Sequence, residues 1–472
     1  MAAVKEKTKL SMISLLLNLL LCSLRQRPVS ALNTIATLPG FEGPLPFYLE
    51  TGYVEIDEEK GVELFYYFIK SERSPEEDPL MVWITGGPGC SAFSGLVFEI
   101  GPLKFDVAGY TEGLPTLIYN PSSWTQASNI IFLDSPVGTG FSYAKVEDGY
   151  KTSDTKSGRQ ILKFITKWLV DHPEFRSNPL YIGGDSYSGI TVPVATVEIA
   201  NSIQARDELH LNLKGYLIGN PSTDFYGFDG NSRIPFMHGM GLISDELYES
   251  AKKTCGGDYV TPRNAPCSND IQAIYQCVSG INVVHILEPI CGYASPKPYE
   301  IHASKRNLID DHIAQFPLLE LGLPVECRDS GYRLSYLWAD DDSVRKTLGI
   351  HQGTVPSWKR CSTLQYFTND VQKSIIYHLN LTSRGYRALV YSGDHDMNVP
   401  FVGTQNWIRS LHLSIIDDWR SWWVNGQVAG FTRSYSNDLT FATVKGAGHT
   451  APEYKPKECL AMVDRWLSGL PL

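Results

Sequence analysis

Ser186 stands in Gly183-Gly184-Asp185-Ser186-Tyr187-Ser188-Gly189, between the apolar stretch Leu180-Tyr181-Ile182 and a second running from Ile190 to Ile203. The first reads as the end of a buried strand, the second as a helix packed on a sheet. A serine held between small residues at a strand-to-helix turn projects its hydroxyl above the sheet, beside the free N–H groups at the start of the helix. That hydroxyl becomes a nucleophile when a base takes its proton and a carboxylate orients the base. Both groups follow later in the chain. Gly393-Asp394-His395-Asp396 comes after the apolar run from Arg387 to Ser392, and Lys445-Gly446-Ala447-Gly448-His449 comes after Leu439 to Val444. A fourth element, Gly86-Gly87-Pro88-Gly89, follows Met81-Val82-Trp83-Ile84. Its backbone N–H groups, with that of Tyr187, suit the oxyanion of acyl chemistry. The short serine pattern alone is common by chance, and each loop alone has an ordinary reading as a tight turn. Their coincidence, in the order glycine loop, serine, acid, histidine, points to a covalent acyl-enzyme mechanism that needs no metal or cofactor.

Such a site requires strands that end side by side. Residues 51–69 alternate around Glu58-Glu59-Lys60-Gly61 and read as an opening hairpin. Short apolar strands are expected at Met81–Ile84, Asn129–Leu133, Leu213–Gly219, Arg387–Ser392 and Leu439–Val444. Ile161, Phe164, Ile165, Trp168 and Leu169 fall at helical spacing, and Lys457 to Leu467 reads as a closing helix. Strands alternating with helices imply a doubly wound, mostly parallel sheet, here of the α/β-hydrolase fold. The rhythm is lost between Asp224 and Leu348, which reads as an inserted cap domain. The expected organisation is residues 1–31 as a signal peptide, 32–223 as the first part of the core, 224–348 as the cap, and 349–472 as the second part. Within the cap, residues 295–323 are least regular and carry Lys305-Arg306, an expected nicking site. Asp340-Asp341-Asp342 is expected to open a helix.

Lys5, Lys7 and Lys9 precede a Leu-rich run, Ile13 to Leu24, too short to span a bilayer comfortably, and Val29-Ser30-Ala31 offers a cleavage site. The expected destination is the secretory pathway, with no membrane attachment after signal removal. A formal charge of −10 argues against nucleic acid as a partner. Of nine cysteines, eight lie beyond the signal, an even number with no C-x-x-C pair, so disulfides are expected rather than zinc. Asn380-Leu381-Thr382 is the one glycosylation sequon.

Gly86-Gly87-Pro88-Gly89-Cys90-Ser91, Asp134-Ser135-Pro136-Val137-Gly138-Thr139-Gly140-Phe141-Ser142-Tyr143, Gly184–Gly189 and the Asp396 and His449 loops resemble the plant serine carboxypeptidase-like family. The resemblance runs from about Gly40 to the C-terminus. It implies a catalytic triad of Ser186, His449 and Asp396, the second acid of its loop, with Gly87 and Tyr187 supplying the oxyanion N–H groups. It also implies the pairings Cys90–Cys361, Cys255–Cys267 and Cys291–Cys327, leaving Cys277 and Cys459 as buried thiols or an extra pair. In the family's peptidases an Asn before the glycine loop and a Glu before the nucleophile join a Trp and a further Glu to bind the substrate's free carboxylate. Trp83 and Glu99 match beside Gly86, but Thr85 replaces the Asn and Asp185 replaces the Glu. That hydroxyl-rich set resembles the acyltransferase branch, which moves an acyl group from a 1-O-acyl-β-glucose ester to an alcohol or amine. The expected donors carry hydroxycinnamoyl, benzoyl or galloyl groups. The alternatives are a serine carboxypeptidase and a non-catalytic partner of a paralogue. A cut between Cys291 and Cys327, if these are bridged, would leave a two-chain form with its halves joined; the resemblance implies the vacuole as compartment, with the extracellular space as the alternative.

Overall fold

The computed structural model describes residues 33–205, 211–290 and 328–472. Its framework is one twelve-stranded sheet. In chain order the strands are β1 (Asn33–Ile35), β2 (Leu49–Asp57), β3 (Val62–Ile69), β4 (Leu80–Ile84), β5 (Asn129–Leu133), β6 (Leu180–Asp185), β7 (Leu213–Gly219), β8 (Arg387–Gly393), β9 (Ile415–Val424), β10 (Gln427–Tyr435) and β11 (Leu439–Val444). They lie in the order β1-β2-β3-β5-β4-β6-β7-β8-β11-β10-β9, with the two-residue strand Tyr143–Ala144 pairing β3. The pairs from β5 through β4, β6, β7 and β8 to β11 are parallel, and antiparallel strands close both edges. This is an α/β-hydrolase-type architecture, and β6, which carries the serine turn, lies near its middle.

The central strands are short and apolar because both faces are covered. Along β4, Met81 and Trp83 enter one core while Leu80, Val82 and Ile84 enter the other. The second core is covered by α1 (Asp154–Asp171) and α2 (Ser188–Ala205). The apolar stripe of α1 (Ile161, Phe164, Ile165, Trp168 and Leu169) is buried there, and Ser153 caps its N-terminus by accepting from the Lys156 N–H.

Between β7 and β8 come α3 (Gly230–Gly239), α4 (Asp245–Cys255) and α5 (Ala265–Cys277), which share a separate apolar cluster around Ile234, Phe236, Ala251 and Ile274. Past the undescribed residues, α6 (Asp329–Ala339) and α7 (Asp342–Thr347) pack differently. Leu334, Trp338 and Val344 enter the core on the β4 Trp83 side of the sheet. Asp341, the middle residue of the acidic run, caps α7 by accepting from the Ser343 and Val344 N–H groups. α8 (Ile375–Ser383) carries Asn380 on its exposed side, and α9 (Pro456–Leu467) covers the Trp83-side core with Met462, Val463 and Trp466.

The sequence reading holds no strand between Ser392 and Leu439, yet β9 and β10 both lie in that interval. β9 is bulged at three places and exposes Ile416, Trp419 and Trp423, so its alternation of apolar and polar residues is broken. Its turn was nonetheless legible. Asn425-Gly426, with φ of +50° and +73°, is the dipeptide that suits a tight hairpin.

Disulfides join Cys90 to Cys361 and Cys255 to Cys267. Cys277 is a free exposed thiol and Cys459 a free buried one, so these two are not an extra pair and only Cys459 is buried. The signal segment 1–31, the linker 295–323, and Cys291 with Cys327 lie outside the described residues. Among the described residues no helix is long and apolar enough to cross a membrane.

Candidate active site

Parallel pairing brings the C-terminal ends of the central strands into line. Gly184 lies opposite Ile84, Asp185 opposite Gly219, Gly219 opposite Tyr391, and Gly393 opposite Val444. The loops leaving these ends are the glycine loop, the serine turn, the Asn220 turn, the acid loop and the histidine loop. They gather at one edge, where open α/β sheets place their ligands.

Ser186 has φ +55°, a left-handed conformation that a non-glycine residue keeps only where its surroundings hold it. Its N–H donates to the Gly219 carbonyl at 2.9 Å, and its carbonyl accepts from the Gly189 and Ser222 N–H groups at 3.0 and 2.9 Å. Small neighbours are obligatory. A Cβ on Gly184 would lie 2.4 Å from the Ile84 carbonyl oxygen and 2.6 Å from Ser188 Cβ. The turn presents Ser186 Oγ to His449 Nε2 at 2.8 Å, and His449 Nδ1 meets Asp396 Oδ2 at 2.7 Å. Asp396 and His449 are fully buried. The structure therefore brings together the three residues proposed as a triad, with the acid on the far side of the imidazole from the hydroxyl.

Asp396 is held from several sides. The Asn398 N–H donates to Oδ1 at 2.8 Å, the Val399 N–H to Oδ2 at 3.2 Å, and Asn220 Nδ2 to Oδ2 at 2.9 Å. Asn220, with φ +41°, also accepts from the Gly393 N–H at 3.0 Å through its side-chain oxygen, pinning the start of the acid loop. A strap from the helical insert ties the two catalytic loops together. The Met397 N–H donates to the Val283 carbonyl, the His449 N–H to the Val284 carbonyl, and the Ile286 N–H to the His395 carbonyl. Burial on its own would lower the His449 pKa. The Asp396 charge and hydrogen bond, with Asp185 behind them, reverse this and hold it above the ordinary value.

The glycine loop lies directly against the serine turn. A Cβ on Gly86 would sit 2.7 Å from Ser186 Cβ and 2.8 Å from the Tyr187 nitrogen. Gly87, at φ +116°, faces the same space as Ser186, and Cys90–Cys361 anchors the far end of the loop. The Tyr187 side chain is turned away, its hydroxyl donating to Asp154 at 2.8 Å.

Two cavities open at Ser186 and share only Gly87 and Ser186 in their linings. The smaller is bounded by Thr85, Gly86, Glu99, Asp185 and Glu453, with one guanidinium, Arg360. Thr85 Oγ1 is buried there without a hydrogen-bond partner among the described residues. Trp83 does not reach the cavity wall; it lies behind Glu99 and donates to it at 3.0 Å. Burial, reinforced by the neighbouring carboxylates, pushes Glu99 well above the usual carboxylate range, and burial pushes Asp185 up to about 6. Arg360 donates to Ser94 Oγ at 3.1 Å and lies 4.2 Å from the Tyr332 ring centre. The larger cavity lies on the Tyr187 side, and its lining mixes aromatic and aliphatic residues with polar ones, Asn369, Gln372 and Asn398 among them.

The serine carboxypeptidase family model matches residues 39–469. The chain belongs to the serine carboxypeptidase family. Among curated relatives, serine carboxypeptidase-like 2 of Arabidopsis thaliana is 49% identical over 461 residues, covering 97% of this chain and 98% of that protein. Serine carboxypeptidase-like 17 of the same plant is 47% identical over 442 residues, covering 93% and 94%. Among solved structures, KEX1(delta)P, a prohormone-processing carboxypeptidase from Saccharomyces cerevisiae, shares the fold with a TM-score of 0.73 at 20% identity, covering 93% of this chain and 95% of that one.

Asn220, Arg360, Glu453 and the strap at Val283–Ile286 are missing from the sequence-derived site. Asn220-Pro221 reads only as a turn, and Arg360 and Glu453 are single charges. Of these, Arg360 had a signal in its neighbour, Cys361, which the resemblance pairs with the cysteine of the glycine loop.

Proposed function

We propose that this family member is an acyltransferase using a 1-O-acyl-β-glucose donor. The observation that carries the reading is the small cavity beside Ser186. At the positions where the family's peptidases bind a free carboxylate, it presents Asp185, Glu99 and the unpartnered Thr85 hydroxyl, with Glu453 close by. Thr85 lacks the amide that the peptidases' Asn donates to a free carboxylate, and Asp185 reaches one methylene less far than their Glu. A charged peptide terminus therefore loses partners for its desolvated charge, while these hydroxyl and carboxyl oxygens suit the hydroxyl groups of a sugar. In this mechanism His449 takes the Ser186 proton as Oγ attacks the ester carbonyl. The Gly87 and Tyr187 N–H groups stabilise the oxyanion, and glucose departs with the proton from His449. An acceptor hydroxyl or amine in the vacated cavity then gives its proton to His449, attacks the acyl-serine and regenerates Ser186. Water competes at that step, so net transfer depends on the acceptor being held in place, an advantage worth effective molarities of roughly 10⁵–10⁸ M.

Secretion to an oxidising compartment accords with the two disulfides, and the vacuole is the proposed destination.

A second reading, a serine carboxypeptidase active at acid pH, is favoured by the raised Asp185 and Glu99. Protonated, these groups become hydrogen-bond donors and can meet a carboxylate after all. The two readings part on one measurement. Purified protein is given a panel of acyl-glucoses with saturating acceptors, and separately blocked dipeptides, with products read by mass spectrometry. Transfer product in excess of free acid is expected. Mostly free acid, with efficient dipeptide cleavage, would instead establish the peptidase.

A further inference from the structure

In the proposed mechanism the leaving group and the acceptor occupy the small cavity in turn, and the acyl chain extends into the large one. The lining of the large cavity combines Ile190, Phe225, Tyr226, Val371 and Val399 with the polar Asn369, Gln372 and Asn398, and its one cation among the described residues is Arg233 of α3. Arg233 Nε donates to the Asn398 carbonyl at 3.0 Å and an Nη donates to Asn398 Oδ1 at 3.1 Å. Its guanidinium lies 5.6 Å from the Phe225 ring centre. A guanidinium carries five N–H donors, so these two bonds leave others to spend. No carboxylate among the described residues forms an ion pair with Arg233. Asp229, the one acid in the same lining, is already engaged. Its oxygens accept from the Thr223 and Asp224 N–H groups at 2.7 and 2.8 Å and from the Thr223 and Ser222 hydroxyls at 3.3 Å each. Neighbouring Asp224 pairs with Lys373 at 3.1 Å. The cavity thus contains a cation held by Asn398 whose spare donors have no anionic partner among the described residues. Such a fork matches an oxygen acceptor on the ligand.

We propose that Arg233 selects acyl groups whose far end carries an acceptor oxygen, a carboxylate or a phenol, over purely hydrocarbon acyl groups of equal length. The inference rests on the acyl-Ser186 intermediate of the proposed function, but it holds whether an alcohol or amine acceptor or water resolves that intermediate. Within the aromatic acyl classes it separates those bearing ring hydroxyls from benzoyl.

The test uses the full protein and three p-nitrophenyl esters, of 3-phenylpropanoate and its 4-hydroxy and 4-carboxy analogues, with kcat/KM read from nitrophenol release. In the wild type at least one oxygenated ester should exceed the parent by about tenfold, the size of a charge-assisted hydrogen bond. In Arg233→Gln that ratio should fall close to one, while Arg233→Lys should retain part of it for the carboxylate. Ratios within one variant cancel any general loss from disturbing Asn398. Preference for the carboxylate alone, or for the phenol alone, supports the inference and identifies which oxygen is read. Equal rates on all three esters, no turnover of any, or a preference that survives in Arg233→Gln overturns it. If Arg233→Gln does not fold, the wild-type ratios and Arg233→Lys still decide. An ester preference that persists while acyl-glucose is merely hydrolysed would sink the transferase reading and leave this one standing.

Discussion

Replacing Ser186 or His449 by alanine should reduce turnover by a factor on the order of 10⁶, and the double replacement should add little, because the pair acts as one unit. Asp396→Asn should be severe for a different reason, since the imidazole would lose the acceptor that fixes its tautomer. Full activity in Ser186→Ala would remove the acyl-enzyme altogether. The imidazole must be neutral to accept the serine proton, and its pKa is held above the ordinary 6.5. The acid limb of kcat/KM should therefore fall at a pH above that value. Asp185→Asn withdraws one of the charges that raise it, so the limb should move to lower pH; an unmoved limb would mean that Asp185 does not act on His449. At this scale the sequence was most legible where chemistry demands a fixed order and a fixed turn, as with Ser186, the acid loop and His449. Asn220 was not legible, because its contact with Asp396 exists only once β7 and β8 are in register. The division of the site into two cavities was likewise invisible, since the Arg233 and Glu453 side chains reach it from distant parts of the chain.

The strand-end turns tolerate little added bulk. Gly86→Ala places a methyl 2.7 Å from Ser186 Cβ and 2.8 Å from the Asp185 carbonyl oxygen, both rigid neighbours. Turnover should fall by at least two orders of magnitude as Oγ leaves its 2.8 Å contact with His449, while circular dichroism shows the sheet intact. Near-normal turnover in this variant would show that the glycine loop can give way. Elements with uniform burial were the easiest to foresee: β4, β5 and β6 are apolar because both of their faces are covered. The hairpin β9–β10 escaped for the opposite reason. Its bulges scatter the side chains between core and solvent, and only the Asn425-Gly426 turn keeps a simple signature. The Val283–Ile286 strap contributes backbone groups, to which sequence patterns are blind.

Far from the site, the whole molecule carries a charge pair whose ionisation should shape its tolerance of pH. His172 Nε2 lies 2.9 Å from Glu50 Oε1, and the Tyr48 and Tyr66 hydroxyls each donate to Glu50 at 2.7 Å. Burial opposes both charges, but the hydrogen bonds and the mutual attraction outweigh it, so Glu50 is held below its ordinary 4.5 and His172 above its ordinary 6.5. A lowered acid stabilises above its unfolded value and loses that contribution as pH falls through its folded one. A raised base stabilises below its unfolded value and loses the contribution as pH rises through its folded one. Both contributions are therefore complete between about pH 4.5 and 6.5. The Tm difference between wild type and Glu50→Gln should be largest in that window and shrink on both sides. A difference independent of pH would show that the pair is not ionised. At this scale the parallel sheet and its covering helices follow from alternating apolar runs, and the insert from the loss of that rhythm, which leaves its three clustered helices unread. The return of α6 and α7 to the main core does not, since nothing in their composition distinguishes one apolar cluster from another. The two cavities that meet only at Gly87 and Ser186 have a further consequence for how this scaffold can change. Walls that share no side chain but the nucleophile's can be altered independently, so substitutions on one side should combine additively with substitutions on the other, within about 0.5 kcal/mol. A lineage built on this chain could then exchange its leaving group and its acyl group in separate steps, and a few ancestral proteins could give rise to a grid of specificities.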